Sequence, residues 1–137
     1  MNGPENPYVL HQELARLMST DAGIVRDNAT LKGAEGKLRD LKARYAGIGI
    51  PDQGTWNNSA LAFANQLRNM LELGHLVLAG ALARDESRGA HYKPAFPKRD
   101  DAKWLKTTIA TWSEDGPKLS YEPVDTSILK PVERKYA

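Results

Sequence analysis

The chain contains no cysteine. That absence removes disulfide staples, thiolate zinc sites, iron–sulfur ligation and a cysteine nucleophile from consideration. Nor is there an apolar run approaching the ~20 residues a membrane-spanning helix needs, because polar residues interrupt every hydrophobic stretch. An excess of one charge is missing as well. Nineteen Lys plus Arg against 17 Asp plus Glu leave +2, with the two signs interleaved, which gives no footprint for nucleic acid. The opening Met1 to Pro7 lacks the basic and apolar regions of a secretory leader, so a cytoplasmic setting is expected. What is there is a 137-residue chain, 41% hydrophobic with a mean hydropathy of −0.54, which suits one soluble globular domain.

Three amphipathic patterns predict three helices. Asn6 and Pro7 form a cap and first-turn pair, followed by Leu10, Leu14 and Leu17 at helical steps, so the first helix spans about 7–18. Ile24 and Val25 then make a short apolar patch expected to pack on the next helix. From Asn28, the residues Leu31, Ala34, Leu38, Leu41 and Tyr45 share one face. After the breaker run Gly47 to Gly54, a third and more apolar helix is expected over about 56–83, with Gly74 and Gly80 as points of close helix approach. Short connections suggest an up-down-up bundle.

Residues 84–102 carry no period, two prolines and both charge signs, and a loop of that length is usually functional or docked. Beyond it, a Trp- and Thr-rich stretch over 103–112, the Ser113 to Pro117 turn and Leu119 alternating with Tyr121 predict a β-hairpin followed by an extended arm. Such a ribbon needs the bundle or another partner to lie on. The fold class expected is therefore all-α, a three-helix bundle with a C-terminal hairpin and arm.

Chemistry is crowded only in Asp85 to His91, where an acid, a hydroxyl, a guanidinium and an imidazole fall beside Gly89. Two readings stand. Arg88 pairs with Glu86 or with a helix-end carbonyl while His91 holds the loop, or Glu86, Arg88 and His91 form a small anion site. His11 and His75 lack ligand-type neighbours at helical spacing and read as structural. The Gly47-Ile-Gly49 run begins like a dinucleotide fingerprint, but it follows a helix and has Asp52 where the third glycine belongs, so it reads as a loop. Trp56, Trp104 and Trp112 read as packing residues.

The run Glu86-Ser-Arg-Gly-Ala-His-Tyr-Lys-Pro94, followed by Phe96-Pro-Lys-Arg-Asp-Asp101, resembles the C-terminal region of the succinate dehydrogenase/fumarate reductase flavoprotein subunit. Asn6-Pro-Tyr8, His11 to Leu14, Gln66 to Leu71, Leu119 to Asp125 and Arg134-Lys-Tyr136 extend the resemblance along the chain, most like the bacterial succinate dehydrogenase branch. The Glu-Ser-Arg-Gly run also occurs in L-aspartate oxidase-like flavoenzymes. The resemblance implies one domain of a larger protein that oxidises succinate to fumarate with FAD and passes electrons to an iron–sulfur subunit and quinone. In that family the domain is spectrin-repeat-like and sits beside FAD-binding and capping domains, in a complex at the cytoplasmic face of the inner membrane.

No catalytic, cofactor-binding or metal-binding residue of the family maps onto this chain, so no cofactor is expected in it and no catalysis by it alone. A division into 1–83 (bundle), 84–102 (docking loop) and 103–137 (hairpin and arm) follows. Glu86, Ser87, Arg88, Gly89, His91, Arg99, Asp100 and Arg134 are the expected interdomain docking residues, with Arg88 and His91 reaching carboxylates or carbonyls across the interface. The alternatives are a free-standing helical interaction module and the corresponding domain of an L-aspartate oxidase-like flavoenzyme.

Overall fold

In a computed structural model the described residues are 1–132, so Arg134 and Tyr136 lie outside them. Four helices run α1 (Pro7–Asp21), α2 (Asn28–Tyr45), α3 (Ser59–Ala83) and α4 (Asp101–Trp104), followed by strands β1 (Lys106–Thr111) and β2 (Lys118–Pro123). Each long helix is capped by the residue that precedes it. The side chains of Asn6, Asp27 and Asn58 accept from the backbone N–H groups of Tyr8, Thr30 and Leu61.

The three long helices touch one another and bury a leucine-rich core. Leu10, Leu14 and Leu17 come from α1, Leu31, Ala34, Leu38 and Leu41 from α2, and Ala64, Leu67, Leu71 and Leu78 from α3. These are the positions the periodicity selects. Gly74 lets the helices approach, because a Cβ there would lie 3.1 Å from Leu38 Cδ1 and 3.5 Å from Leu14 Cδ1.

The N-terminal segment, unassigned by sequence pattern, explains the glycines that follow α2. Gly3 N–H donates to the Ile48 carbonyl and Gly49 N–H to that of Glu5, so the two backbones lie side by side. A Cβ on Gly3 or Gly49 would collide with the carbonyl oxygen facing it. Arg44 locks the arrangement by bonding both Glu5 and Glu13, at 2.7–3.2 Å.

Several expectations need correction. The third helix starts at Ser59, because Asn58 caps it and Asn57 takes a positive φ, and Trp56 is 91% exposed. Gly80 is no close-approach point, since nothing lies within 4 Å of a Cβ placed there. Ile24 and Val25 do not pack on α2; they are 67% and 64% exposed, because the chain there turns outward to pair with Tyr92. The strand begins at Lys106, after the single helical turn that Asp100 caps. Trp104 therefore sits in α4, buried and edge-on to Tyr121, while Trp112 is exposed.

The hairpin pairs Lys106 with Pro123 and Thr111 with Lys118 in antiparallel register. It rests on α3 through β1 and through its tip, where Gly116 (φ +118°) lies against the His75 ring so closely that a Cβ would be 2.9 Å from Cε1. His75 is buried, with Nε2 3.2 Å from Glu35 Oε1.

Candidate docking site

The segment from Arg84 to Leu105 turns the end of α3 toward the hairpin, and its frame is a buried carboxylate. Glu86 is fully buried. Its Oε1 accepts from Arg84 Nη1 at 2.7 Å and Arg88 Nε at 2.8 Å, and its Oε2 from Arg88 Nη2 at 3.0 Å and the Asp100 N–H at 2.9 Å. Burial alone would raise this carboxyl. The bonds from Arg88, the Asp100 amide and Arg84 outweigh it and hold the group below its ordinary value.

The two arginines extend the frame in opposite directions. Arg84 also donates to the carbonyls of Trp104 and Lys106 and to Thr108 Oγ1, with its guanidinium 5.1 Å from the centre of the Trp104 ring. It ties the helix end to the start of the hairpin. Arg88 reaches Asp101 at 2.6 Å, Asp101 in turn pairs with Arg99 at 2.9 Å, and Arg99 Nη1 donates to the carbonyl of Val132 on the arm.

A second cluster fixes the middle of the loop. Gly89 has φ +59° in the tight turn where Arg88 and His91 exchange backbone bonds. Ser87 Oγ donates to the Phe96 carbonyl at 2.7 Å and accepts from the Lys93 N–H at 3.0 Å. The Lys93 side chain is buried, with Nζ on Asp85 Oδ1 at 2.9 Å and on the Leu82 carbonyl at 3.1 Å. His91 lies between two partners. Arg26 has only hydrogens to give, so the 2.9 Å contact makes Nδ1 an acceptor, which leaves Nε2 protonated to donate to the Arg84 carbonyl at 2.9 Å. Burial, aided by the neighbouring cations, pushes His91 below its ordinary value, so the ring is neutral near pH 7.

The structure thus brings Glu86, Arg88, Asp100 and Arg99 into one network and places Ser87, Gly89 and His91 in the adjoining turn. Arg88 and His91, expected to reach across an interface, find these partners within the chain, and Arg88 pairs with Glu86 as the first reading had it. Sequence reasoning missed Arg84, Arg26, Lys93 and Asp101. Arg84 carried a usable signal as a cation at a helix C-terminus. Arg26 carried none, since 65 positions separate it from His91.

Among the described residues no cluster of three or more His, Asp or Glu is placed to hold a metal, and no helix is long and apolar enough to cross a membrane. The Gly47–Gly49 turn is filled by the chain's own N-terminal backbone.

The family model described as fumarate reductase flavoprotein C-term matches residues 11–136, and the chain belongs to that family. The succinate dehydrogenase flavoprotein subunit of Bacillus subtilis is 42% identical over the whole of this chain, which spans 24% of that relative. The fumarate reductase flavoprotein subunit of Helicobacter pylori is 36% identical over 90% of the chain and 18% of its own length. Among solved structures, an E. coli quinol fumarate reductase chain superposes with a TM-score of 0.90 at 30% identity, covering 96% of this chain and 23% of that one. The chain therefore spans about a quarter or less of the proteins it matches.

Proposed function

We propose that the chain is the C-terminal domain of a succinate dehydrogenase/fumarate reductase flavoprotein whose other domains bind FAD and carry out the interconversion of succinate and fumarate. In this reading the whole protein passes electrons to an iron–sulfur subunit and quinone at the cytoplasmic face of the inner membrane, and this domain does no chemistry by itself. Its role is mechanical. The three long helices, in a spectrin-repeat-like up-down-up arrangement over 1–83, are the body; 84–102 is the docking loop; 103–137 is the hairpin and arm.

The observation that carries this reading is the 42% identity along the whole chain to a flavoprotein subunit about four times as long. The buried frame around Glu86 supports the loop assignment. Glu86, Ser87, Arg88, Gly89, His91, Arg99 and Asp100 hold the loop in a fixed shape, ready for a neighbouring domain; Arg134, the eighth expected docking residue, lies outside the described residues.

The test has two arms. The purified chain is expected to show no flavin absorbance and no succinate-dependent dye reduction, whereas the polypeptide encoded by the whole reading frame shows both. Bound flavin in the 137-residue chain, or a reading frame limited to it, overturns the proposal.

A further inference from the structure

The loop frame spends its charges internally and leaves a different chemistry facing outward. Val25, in the α1–α2 connection, pairs in parallel with Tyr92 of the loop, through Tyr92 N–H to the Ile24 carbonyl at 3.2 Å and Arg26 N–H to the Tyr92 carbonyl at 2.8 Å. Side chains alternate across such a ribbon. Arg26 and His91 therefore share one face, where they meet, and Val25 and Tyr92 share the other. Val25 is 64% exposed, Tyr92 40% and the adjoining Ile24 67%. Val25 and Tyr92 thus stand together on one face of a short ribbon, which no helix of the described chain covers, while Ile24 is exposed on the opposite side.

The ribbon is built to be rigid. Arg26 spans it, donating to the Gly23 carbonyl at 2.6 Å, the Ala22 carbonyl at 3.2 Å and His91. Lys93, next to Tyr92, is buried on Asp85, which also accepts from Asn28 at 3.0 Å. Every cation flanking the apolar side chains is thereby committed within the chain. A partner arriving here gains little from charge and gains from covering apolar surface.

We propose that Val25 and Tyr92 form the contact surface for an apolar face on the remainder of the flavoprotein chain. The occupant follows from size. The matched relatives carry about three to five times as much chain outside the matched region as within it, and that larger body must share a surface with this domain. The inference rests on the proposed function but changes what touches the partner. The ionic groups of the loop form its skeleton, and the apolar ribbon clamped by Arg26 and His91 is the contact.

Because the chain has no cysteine, a single one reports its own environment. Val25→Cys and Lys32→Cys, the latter on the exposed side of α2, are each labelled with a maleimide in the isolated chain and in the whole flavoprotein, and labelling is assigned by peptide mass. Val25→Cys is expected to slow about tenfold or more in the whole flavoprotein, with Lys32→Cys nearly unchanged. Tyr92→Cys, on the same face, serves equally if Val25→Cys folds poorly. Equal rates at both positions in a flavin-loaded protein overturn the ribbon as the contact while leaving the proposed function intact. A rate at Val25→Cys that falls with concentration in the isolated chain assigns the surface to a second copy and likewise overturns it. A reading frame with no further flavoprotein sequence removes the proposed function itself.

Discussion

The packed helices α1–α3 and the segment from Arg84 to Leu105 are held together by different physics. Between the helices, leucines at three- and four-residue steps bury one face of each, and that core contains no charged side chain. The loop has no such period, and its most buried side chains are Glu86 and Lys93. The difference is one of failure mode. An apolar core loses stability in proportion to the volume removed, whereas a buried ion network loses it when one member leaves its partners desolvated and unpaired.

The largest effect should therefore come from the loop. Glu86→Ala strands Arg84, Arg88 and the Asp100 amide together, and a loss of about 3–5 kcal/mol is expected in urea unfolding. Arg88→Ala on that background should cost far less than it does alone, because both changes break one network. A cost below about 1 kcal/mol for Glu86→Ala would mean that the frame does not hold the loop, and the contrast would fail. In the core between the helices, Leu38→Ala should cost about 2–5 kcal/mol, set by how far Gly74 and its neighbours relax into the void.

Acid sharpens the contrast next, because it acts on the loop and leaves the leucines untouched. His91 has its proton affinity lowered by burial, so the unfolded chain binds the proton first as pH falls below the ordinary value of 6.5. Stability present above that pH is lost as the pH drops toward the depressed folded value. Glu86 follows the same sign in a lower window. Its folded carboxyl resists protonation, so its contribution is intact above 4.5 and disappears as the pH falls through its lowered value. Unfolding free energy measured against pH should decline in these two windows, and His91→Gln should remove the upper one. An unchanged upper window in that variant would separate His91 from the effect.

These differences also decide what could be read from the sequence. The helices were legible because periodicity and capping are local: Asn6, Asn28, Leu31, Leu38 and Ala83 all fall where the pattern puts them. The hairpin was legible from the Gly116 turn and the alternation after it. The loop was legible only as a place where chemistry gathers. Pairing Arg88 with Glu86, two positions apart, was within reach, but His91 with Arg26 and Arg84 with Thr108 join residues whose proximity the tertiary fold creates. Ile24 and Val25 misled for the same reason. Their apolarity was visible, but that the chain carries them away from α2 to pair with Tyr92 depends on a contact from the far end of α3.

The smallest effects compare the two glycines of α3, which sequence pattern treated alike. Replacing a helix-interior glycine with alanine favours the folded state by about 1 kcal/mol where nothing obstructs the new methyl group. At Gly80 nothing does, so Gly80→Ala should raise the melting temperature by roughly 3 °C. At Gly74 the same methyl presses on Leu38 Cδ1 at 3.1 Å with Leu14 and Met18 close behind. Overpacking of about 1–3 kcal/mol then offsets the helical gain, and Gly74→Ala should be neutral or destabilising. Equal stabilisation at both positions would show that the core around Leu38 gives way readily, and would mean that the leucine seam is packed less firmly than the contrast with the loop requires.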